Sequence, residues 1–373
     1  MQPEFMKLAL KLAEKGKGRV SPNPLVGAVL VKKGKIIGKG FHEKFGKAHA
    51  EINALKHAGS KAKGSEVYIN LEPCSHFGKT PPCVNALIKA GVKKAFIAMK
   101  DPNPKVNGKG IKKLRKAGIK VKVLEGKWEK EAGELNRIFI KWVKTGIPYV
   151  VQKIAVTEDG FISWGDLKRK KITGKKADDF VQGLRNELDA VLVGKNTVEL
   201  DDPELTCRMK GGRNPLRVIL DPMLELDLKK KVFAMQSIAR FPKAFAKQKA
   251  FRRNGKIIVF CCGKANKEKR KALEKIGARV FSVKGNGKEL DLKEVLKKLG
   301  KLGISSVLVE GGRKLNSAFL KRKLSGEIVF LVGKKKAGKN ALFFVDEGVK
   351  KLGLKSPSVK RLEGDWLVSG RLA

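Results

Sequence analysis

The chain has 373 residues, 42% of them hydrophobic: too long for one ordinary compact domain, comfortable for two, and apolar enough for folded cores. Its five cysteines are few and odd in number, which argues against a disulfide framework and for metal or catalytic use of some of them. The formal charge of +47 is not local, since residues 1–150 hold 32 basic and 11 acidic side chains and residues 151–373 hold 51 and 25; this reads as a lysine-rich surface suited to phosphorylated small substrates, with nucleic acid bound only non-specifically through charge.

The first stretch, MQPEFMKLALKLAEKGKG, reads as an amphipathic helix rather than a signal peptide. No apolar run approaches the roughly 20 residues that span a bilayer, so a cytoplasmic protein without membrane contact is expected. LVGAVLV (25–31) and KIIGKG (35–40) flank a KKG turn and predict a hairpin. A helix over about 49–58 follows, then a strand at 67–73, a helix at 82–90, a strand at 95–99, a helix near 110–117, a strand at 119–124 and one long helix over about 128–144. TGIPYVV (145–151) opens a second domain, so boundaries of 1–145 and 146–373 are expected. Beyond it, strands at 149–156, 189–194, 216–221, 256–262, 278–283, 305–312 and 327–333 alternate with helices, one of them near 176–187, and residues 223–255 read as irregular. The fold class is α/β in both domains.

Between the strand at 67–73 and its following helix stands LEPCSHFGKTPPC (71–83), and upstream HAE (49–51). A catalytic zinc takes three protein ligands and leaves one position for water. His49, Cys74 and Cys83 supply one nitrogen and two sulfurs. Glu51, two residues from the histidine and not needed as a ligand, is free to move protons. Zinc lowers the pKa of its water toward neutrality, and Glu51 would take that proton and deliver it to departing ammonia. Pro81–Pro82 suits a helix start, which places Cys83 where the helix dipole favours thiolate.

This order of residues resembles the H-x-E … P-C-x-x-C signature of zinc-dependent cytidine-deaminase-like enzymes, except that eight residues rather than two separate the cysteines. PNPLVGAVLVKKGKIIGKGFHEKFGKAHAE (22–51), LEPCSHFGKTPPC (71–83) and AMKDPNPKVNGKG (98–110) resemble the deaminase domain of the bifunctional deaminase–reductase family of riboflavin biosynthesis, to which the long cysteine spacing belongs. The resemblance implies a cytidine-deaminase-like α/β/α domain. It also implies, as substrate, 2,5-diamino-6-(ribosylamino)pyrimidin-4-one 5'-phosphate, losing its ring 2-amino group as ammonia. Asn23, His42, His76, Lys79, Asp101 and Asn103 are implied around that substrate. Asn23 and His42 can hydrogen-bond ring or ribose and Lys79 can neutralise phosphate, while Asp101 and Asn103 in their DPNP turn could equally be turn-stabilising.

VEGG (309–312) ends an apolar strand and opens a helix, an arrangement able to hold a phosphate on backbone N–H groups. KIAVTEDG (153–160), LRNELDAVLVGKNTVELDDPELTCR (184–208), PLRVILD (215–221) and VEGG resemble, in order, the reductase domain of the same family. The resemblance implies a dihydrofolate-reductase-like α/β fold, NADPH, and reduction of the opened ribose to a ribityl chain. It implies contacts to the dinucleotide from Val156, Thr197, Asp201, Gly311 and Gly312, and a substrate lined by Arg185, Leu205, Arg208 and Glu310. Arg185 and Arg208 would suit a substrate phosphate, the alternative being solvation or an ion pair. This half departs more from its family: SWGDLKRKKIT (163–173) has Arg169 and Lys171 where a serine and a tryptophan are expected, and GEIVFLVGKKKAGKN (326–340) keeps Glu327 but has no proline. A deaminase with a silent reductase-like half and a tRNA-type deaminase stand as alternatives. Family members commonly associate, so a homo-oligomer is possible. Cys207, Cys261 and Cys262 are expected to serve packing.

Overall fold

The computed structural model describes residues 2–77, 81–164, 171–234, 256–346 and 352–372. The chain divides into two compact units, Met1–Gly146 and Ile147–Ala373. Lys79, Arg169 and most of the stretch read as irregular, 235–255, lie outside the described residues.

The first unit runs α1 (Pro3–Glu14), β1 (Gly27–Lys32), β2 (Lys35–Phe41), α2 (Ala50–Ala58), β3 (Glu66–Ile69), α3 (Cys83–Lys89), β4 (Lys94–Ile97), α4 (Lys109–Lys116), β5 (Lys120–Val123), α5 (Lys127–Leu135) and α6 (Arg137–Thr145). Its five strands are ordered β2-β1-β3-β4-β5. β1 pairs antiparallel with β2 and β3, and β3, β4 and β5 run parallel. Strand alternation sorts the core into two faces. Ala28, Leu30, Val67, Ile69, Ala95 and Ile97 pack with Ala50, Ala54, Val84, Leu87 and Leu114 of α2, α3 and α4. Val29, Val31, Tyr68 and Phe96 pack instead with Phe5, Met6, Ala132 and Phe139 of α1, α5 and α6. The sheet is thus covered on both sides.

Close backbone approach sets where α2 lies. A Cβ at Gly38 would come within 2.4 Å of the Ala54 carbonyl oxygen and one at Gly40 within 2.5 Å of the Ala54 nitrogen. Two glycines on β2 and an alanine-lined helix face therefore let α2 rest directly on the strand, which fixes the helix that follows His49 and carries Glu51. The long helix expected over 128–144 is two helices. Asn136, at φ −102 and ψ 15, breaks it. Its buried carboxamide accepts from Leu25 N–H at 2.8 Å and donates to the Leu25 carbonyl at 3.0 Å, so a side chain read as one polar residue of a helix is spent on the entry to β1.

The second unit runs β6 (Tyr149–Val156), α7 (Lys175–Glu187), β7 (Ala190–Gly194), α8 (Lys195–Asp201), β8 (Leu216–Leu220), α9 (Lys231–Ala234), β9 (Ile257–Cys261), α10 (Lys267–Lys275), β10 (Arg279–Ser282), α11 (Leu292–Lys301), β11 (Ser306–Val309), α12 (Arg313–Lys321), β12 (Glu327–Val332), β13 (Leu354–Leu362) and β14 (Asp365–Leu372). Nine strands are ordered β10-β9-β8-β7-β11-β6-β12-β14-β13. All pairings from β10 to β12 are parallel, and β14 pairs antiparallel with β12 and β13. The inner strands LRVIL, IIVFC and SVLV are buried along their whole length, as a parallel sheet covered on both faces requires. The β13–β14 hairpin and α8 are elements the sequence reading did not contain. β13 is largely exposed, so its apolar signal is weak. Cys261 and Cys262 are buried in the core and Cys207 is half-buried. No helix among the described residues is long and apolar enough to cross a membrane.

Candidate active sites of the two units

His49 stands in extended backbone immediately before α2, Cys83 is the first residue of α3, and Cys74 lies in the loop after β3. Three elements thus deliver one side chain each. The His49 Nδ1 lies 3.3 Å from the Cys83 sulfur and 3.7 Å from the Cys74 sulfur, and the three donor atoms all lie within 4.8 Å of one another. Tetrahedral angles with ordinary zinc bond lengths put a nitrogen and a sulfur about 3.5 Å apart. The donor set and its spacing fit zinc.

The α3 start contributes more than a ligand. The Cys83 backbone N–H donates to the Cys74 sulfur at 3.3 Å, and Val84 N–H donates to the Cys74 carbonyl at 3.3 Å. A hydrogen bond from the Cys83 thiol, opposed by burial and reinforced by His49, lowers Cys74 to about 4. Cys83, donating to Cys74 and buried, is raised. The hydrogen bond to Cys74, and behind it the Glu51 charge, raises His49 against its burial.

Glu51 is 3% exposed. Burial first, then the Cys74 charge, push its carboxyl up to about 7, against the pull of His49. His42 is also buried, its ring 5.1 Å from that of His49 between centroids. Its Nδ1–H donates to the Ala48 carbonyl at 3.1 Å, which leaves Nε2 to accept from the Asn23 carboxamide at 3.1 Å. Burial lowers its pKa, in keeping with this neutral tautomer. Asn23 and His42 are thus brought to the metal-ligand cluster as one hydrogen-bonded pair.

The other expected substrate residues stand differently. His76 is exposed in the loop after Cys74. Asn103 N–H donates to Asp101 Oδ1 at 2.8 Å and Lys105 N–H to Asn103 Oδ1 at 3.1 Å, so both side chains serve their own turn. Burial pushes Asp101 up to about 6, with the Asn103 N–H opposing and the Glu72 and Cys74 charges adding.

In the second unit the centre is Glu310, 9% exposed at its side chain and placed just past the end of β11. Arg185 of α7 holds it with two nitrogens, Nε at 2.7 Å and a terminal nitrogen at 3.1 Å, and Lys153 of β6 stands 3.1 Å away. Burial would raise the Glu310 carboxyl, but Lys153 and Arg185 pull it down to about 2. The third Arg185 contact is the Thr206 carbonyl at 3.1 Å. Arg185 is therefore buried in an ion pair, the alternative that the sequence offers beside a substrate phosphate. Arg208 is exposed, its backbone N–H tied to the Gln182 side chain at 2.8 Å. Leu205 is buried at φ +55, a strained conformation for a branched side chain and one that clusters at functional loops.

The expected dinucleotide residues lie at the C-terminal ends of β6, β7 and β11. Val156 ends β6 and lines an apolar cleft of about 260 Å³ with Phe330, Val332 and Phe344. Thr197 and Asp201 lie on α8, and Gly311 and Gly312 lead into α12. A Cβ at Gly311 would meet Leu315 at 2.7 Å, whereas nothing lies within 4 Å of one at Gly312, so the helix start there is open to a ligand. Lys171 is paired with Asp178 on α7. Lys153 is the residue that sequence reasoning missed: one lysine among 83 basic side chains, its only signal a charge inside the apolar strand YVVQKIAV.

Residues 148–368 match the family model of the RibD C-terminal domain, and residues 1–99 match that of the cytidine and deoxycytidylate deaminase zinc-binding region. The riboflavin biosynthesis protein RibD of Aquifex aeolicus (strain VF5) is 43% identical over 349 residues, covering 93% of this chain and 91% of that protein. The chain belongs to the RibD family. The solved structure of Acinetobacter baumannii RibD superposes with a TM-score of 0.85 at 34% identity, covering 99% of this chain and 98% of that one. That of the Thermotoga maritima diaminohydroxyphosphoribosylaminopyrimidine deaminase/5-amino-6-(5-phosphoribosylamino)uracil reductase gives 0.81 at 37%, with the same coverage. The protein is accordingly an enzyme of riboflavin biosynthesis with a zinc-dependent deaminase domain and an NADPH-dependent reductase domain, acting on a small molecule.

Proposed function

We propose that the first unit deaminates 2,5-diamino-6-(ribosylamino)pyrimidin-4-one 5'-phosphate and that the second reduces the product's ribosyl group to a ribityl chain. The observation that carries the reading is the convergence of His49, Cys74 and Cys83 from three elements beside a buried Glu51. These three side chains would hold zinc, which when bound supplies a water acidic enough to ionise near neutral pH. Glu51 takes a proton as oxygen adds to the ring carbon, then gives it to the amino nitrogen as that bond breaks and ammonia leaves. The Asn23–His42 pair and His76 would stand around the pyrimidine and its sugar, and Lys79, which lies outside the described residues, would neutralise the phosphate.

NADPH, when bound to the second unit, would supply the hydride for C1 of the ring-opened sugar, the proton going to the nitrogen that C1 carries. Val156, Thr197, Asp201, Gly311 and Gly312 would hold the dinucleotide. Glu310 is a fixed anion that orders Lys153 and Arg185 beside the substrate, and Arg208 is the exposed cation for the substrate phosphate beside Leu205. A phosphorylated substrate and NADPH, both held inside the cell, support a cytoplasmic reaction. The test is mass spectrometry of the diaminopyrimidinone phosphate incubated with zinc-loaded protein. An amino-to-oxygen mass change without NADPH, then two added hydrogens with it, is expected. Deamination alone would overturn the reductase half, and no change with zinc bound would overturn the substrate.

A further inference from the structure

Glu72 lies in the loop after β3, two residues before Cys74, and is 3% exposed. Four backbone N–H groups converge on its carboxylate. Gly110 N–H at 2.9 Å and Ile111 N–H at 3.2 Å reach one oxygen; Gly108 N–H at 2.9 Å and Asp101 N–H at 3.2 Å reach the other. An ionised carboxylate, with acceptor sites only, is the side chain that satisfies four donors at once. The donors span the loop after β4 and the first turn of α4. The N-cap of that helix is Gly108, at φ +84, which has no side chain with which to cap it. Glu72, remote in sequence, takes over that work and meets the positive end of the helix dipole.

The helix start also rests on the same backbone. A Cβ at Gly110 would lie 2.3 Å from the Pro73 carbonyl oxygen. Glu72 N–H donates to the Met99 carbonyl at 3.0 Å, which ties the residue to the end of β4 as well. One side chain therefore joins the backbone that presents Cys74 to the loop that carries Asp101 and Asn103. The metal-ligand backbone has other supports: the Cys83 and Val84 N–H groups hold Cys74 independently of Glu72.

We propose that Glu72 is a positioning residue for deamination, whose carboxylate fixes the 101–111 loop, with Asp101 and Asn103 on it, against the backbone before Cys74 and so sets one wall of the substrate's seat while touching neither substrate nor metal. This rests on the reading of His49, Cys74 and Cys83 as the metal site.

The experiment compares the zinc-loaded full chain with Glu72→Gln and Gly110→Ala. Glutamine replaces one acceptor oxygen by a donor; alanine pushes the helix start off Pro73 and leaves the carboxylate intact. Amide hydrogen exchange over 100–112, the absorption spectrum of the cobalt(II)-substituted protein and the separate kinetic constants for deamination are read. Faster exchange confined to that segment, an unchanged cobalt spectrum, and a KM raised about tenfold or more with kcat within about threefold are expected of both variants. An unchanged KM overturns the proposal. So does an altered cobalt spectrum with loss confined to kcat, since Glu72 would then support the metal strand alone. If Glu72→Gln does not fold, Gly110→Ala decides by the same readouts. Cys74→Ser separates the underlying reading: should it keep zinc and the parental cobalt spectrum, the metal assignment fails, whatever Glu72 does.

Discussion

Each unit buries a glutamate, and the two are set to opposite ends of the carboxylate range. Glu51 has burial and the Cys74 charge on one side, with His49 and hydrogen bonds from its own backbone and Cys83 on the other, and it rises to about 7. Glu310 is nearly as shielded but is gripped by Lys153 and Arg185, and it falls to about 2. Similar shielding from water does not make similar groups; the sign of the neighbours decides. The first carboxyl can gain and lose a proton at neutral pH, as a proton carrier must. The second keeps its charge and serves as a fixed anion that orders two cations.

The sharpest way to break that contrast is to remove each carboxylate's charge in turn. Glu51→Gln keeps the shape but cannot carry a proton, so deamination should fall about 10²–10⁴-fold, the range of positioned acid–base catalysis. Reduction of the already deaminated substrate should stay at the parental rate. Single-activity assays with each substrate check this, and a deamination loss below about tenfold would remove Glu51 from proton transfer.

Glu310→Gln should act on stability before chemistry. A carboxyl held at about 2 in the folded protein, against 4.5 as its ordinary value, contributes about 3 kcal/mol at neutral pH. The group is depressed on folding, so this stabilisation is present above pH 4.5 and is lost as pH falls toward 2. Denaturant unfolding of the second unit should therefore show a deficit of about 3 kcal/mol for Glu310→Gln at pH 7 that narrows below pH 4.5. A deficit independent of pH would mean that lost packing, not charge, sets the cost.

The same contrast explains what could be read in advance. The first cluster was legible because its chemistry is local in sequence: His49 and Glu51 sit two residues apart, and Cys74 and Cys83 bracket one proline-rich loop. The Glu310 cluster joins residues 125 positions apart, and Lys153 gives no local sign of facing Glu310. Arg185 was named, but as a cation for phosphate or an ion pair with no partner assigned, because its partner is visible only in three dimensions. The buried apolar strands were equally legible, since IIVFC and SVLV can be little else. The β13–β14 hairpin was not, because a mostly exposed strand such as LKSPSVKRL lacks the apolar run that marks its buried neighbours. Glu72 escaped for the same reason as Lys153, its four partners lying 29 to 39 residues away.

Asn136 supplies the smallest test and extends the lesson to the backbone. Apolar periodicity through KWEKEAGELNRIFIKWVKT favours one continuous helix, and Asn136 is a weaker helix former than alanine by only a few tenths of a kcal/mol. Local preference therefore does not place the break. Two hydrogen bonds to Leu25 do; losing them leaves the half-buried Leu25 N–H without this partner, while the Leu25 carbonyl keeps the Asn70 carboxamide at 2.9 Å. Asn136→Ala gains the small propensity term and loses both bonds, so a net destabilisation of about 1–2 kcal/mol is expected, seen as a drop of a few degrees in the melting temperature of the first unit. Phe139, Ile140 and Val143 pack into the core only from the redirected α6. A neutral or stabilised variant would mean that those apolar contacts alone turn the chain, with Asn136 merely occupying the corner.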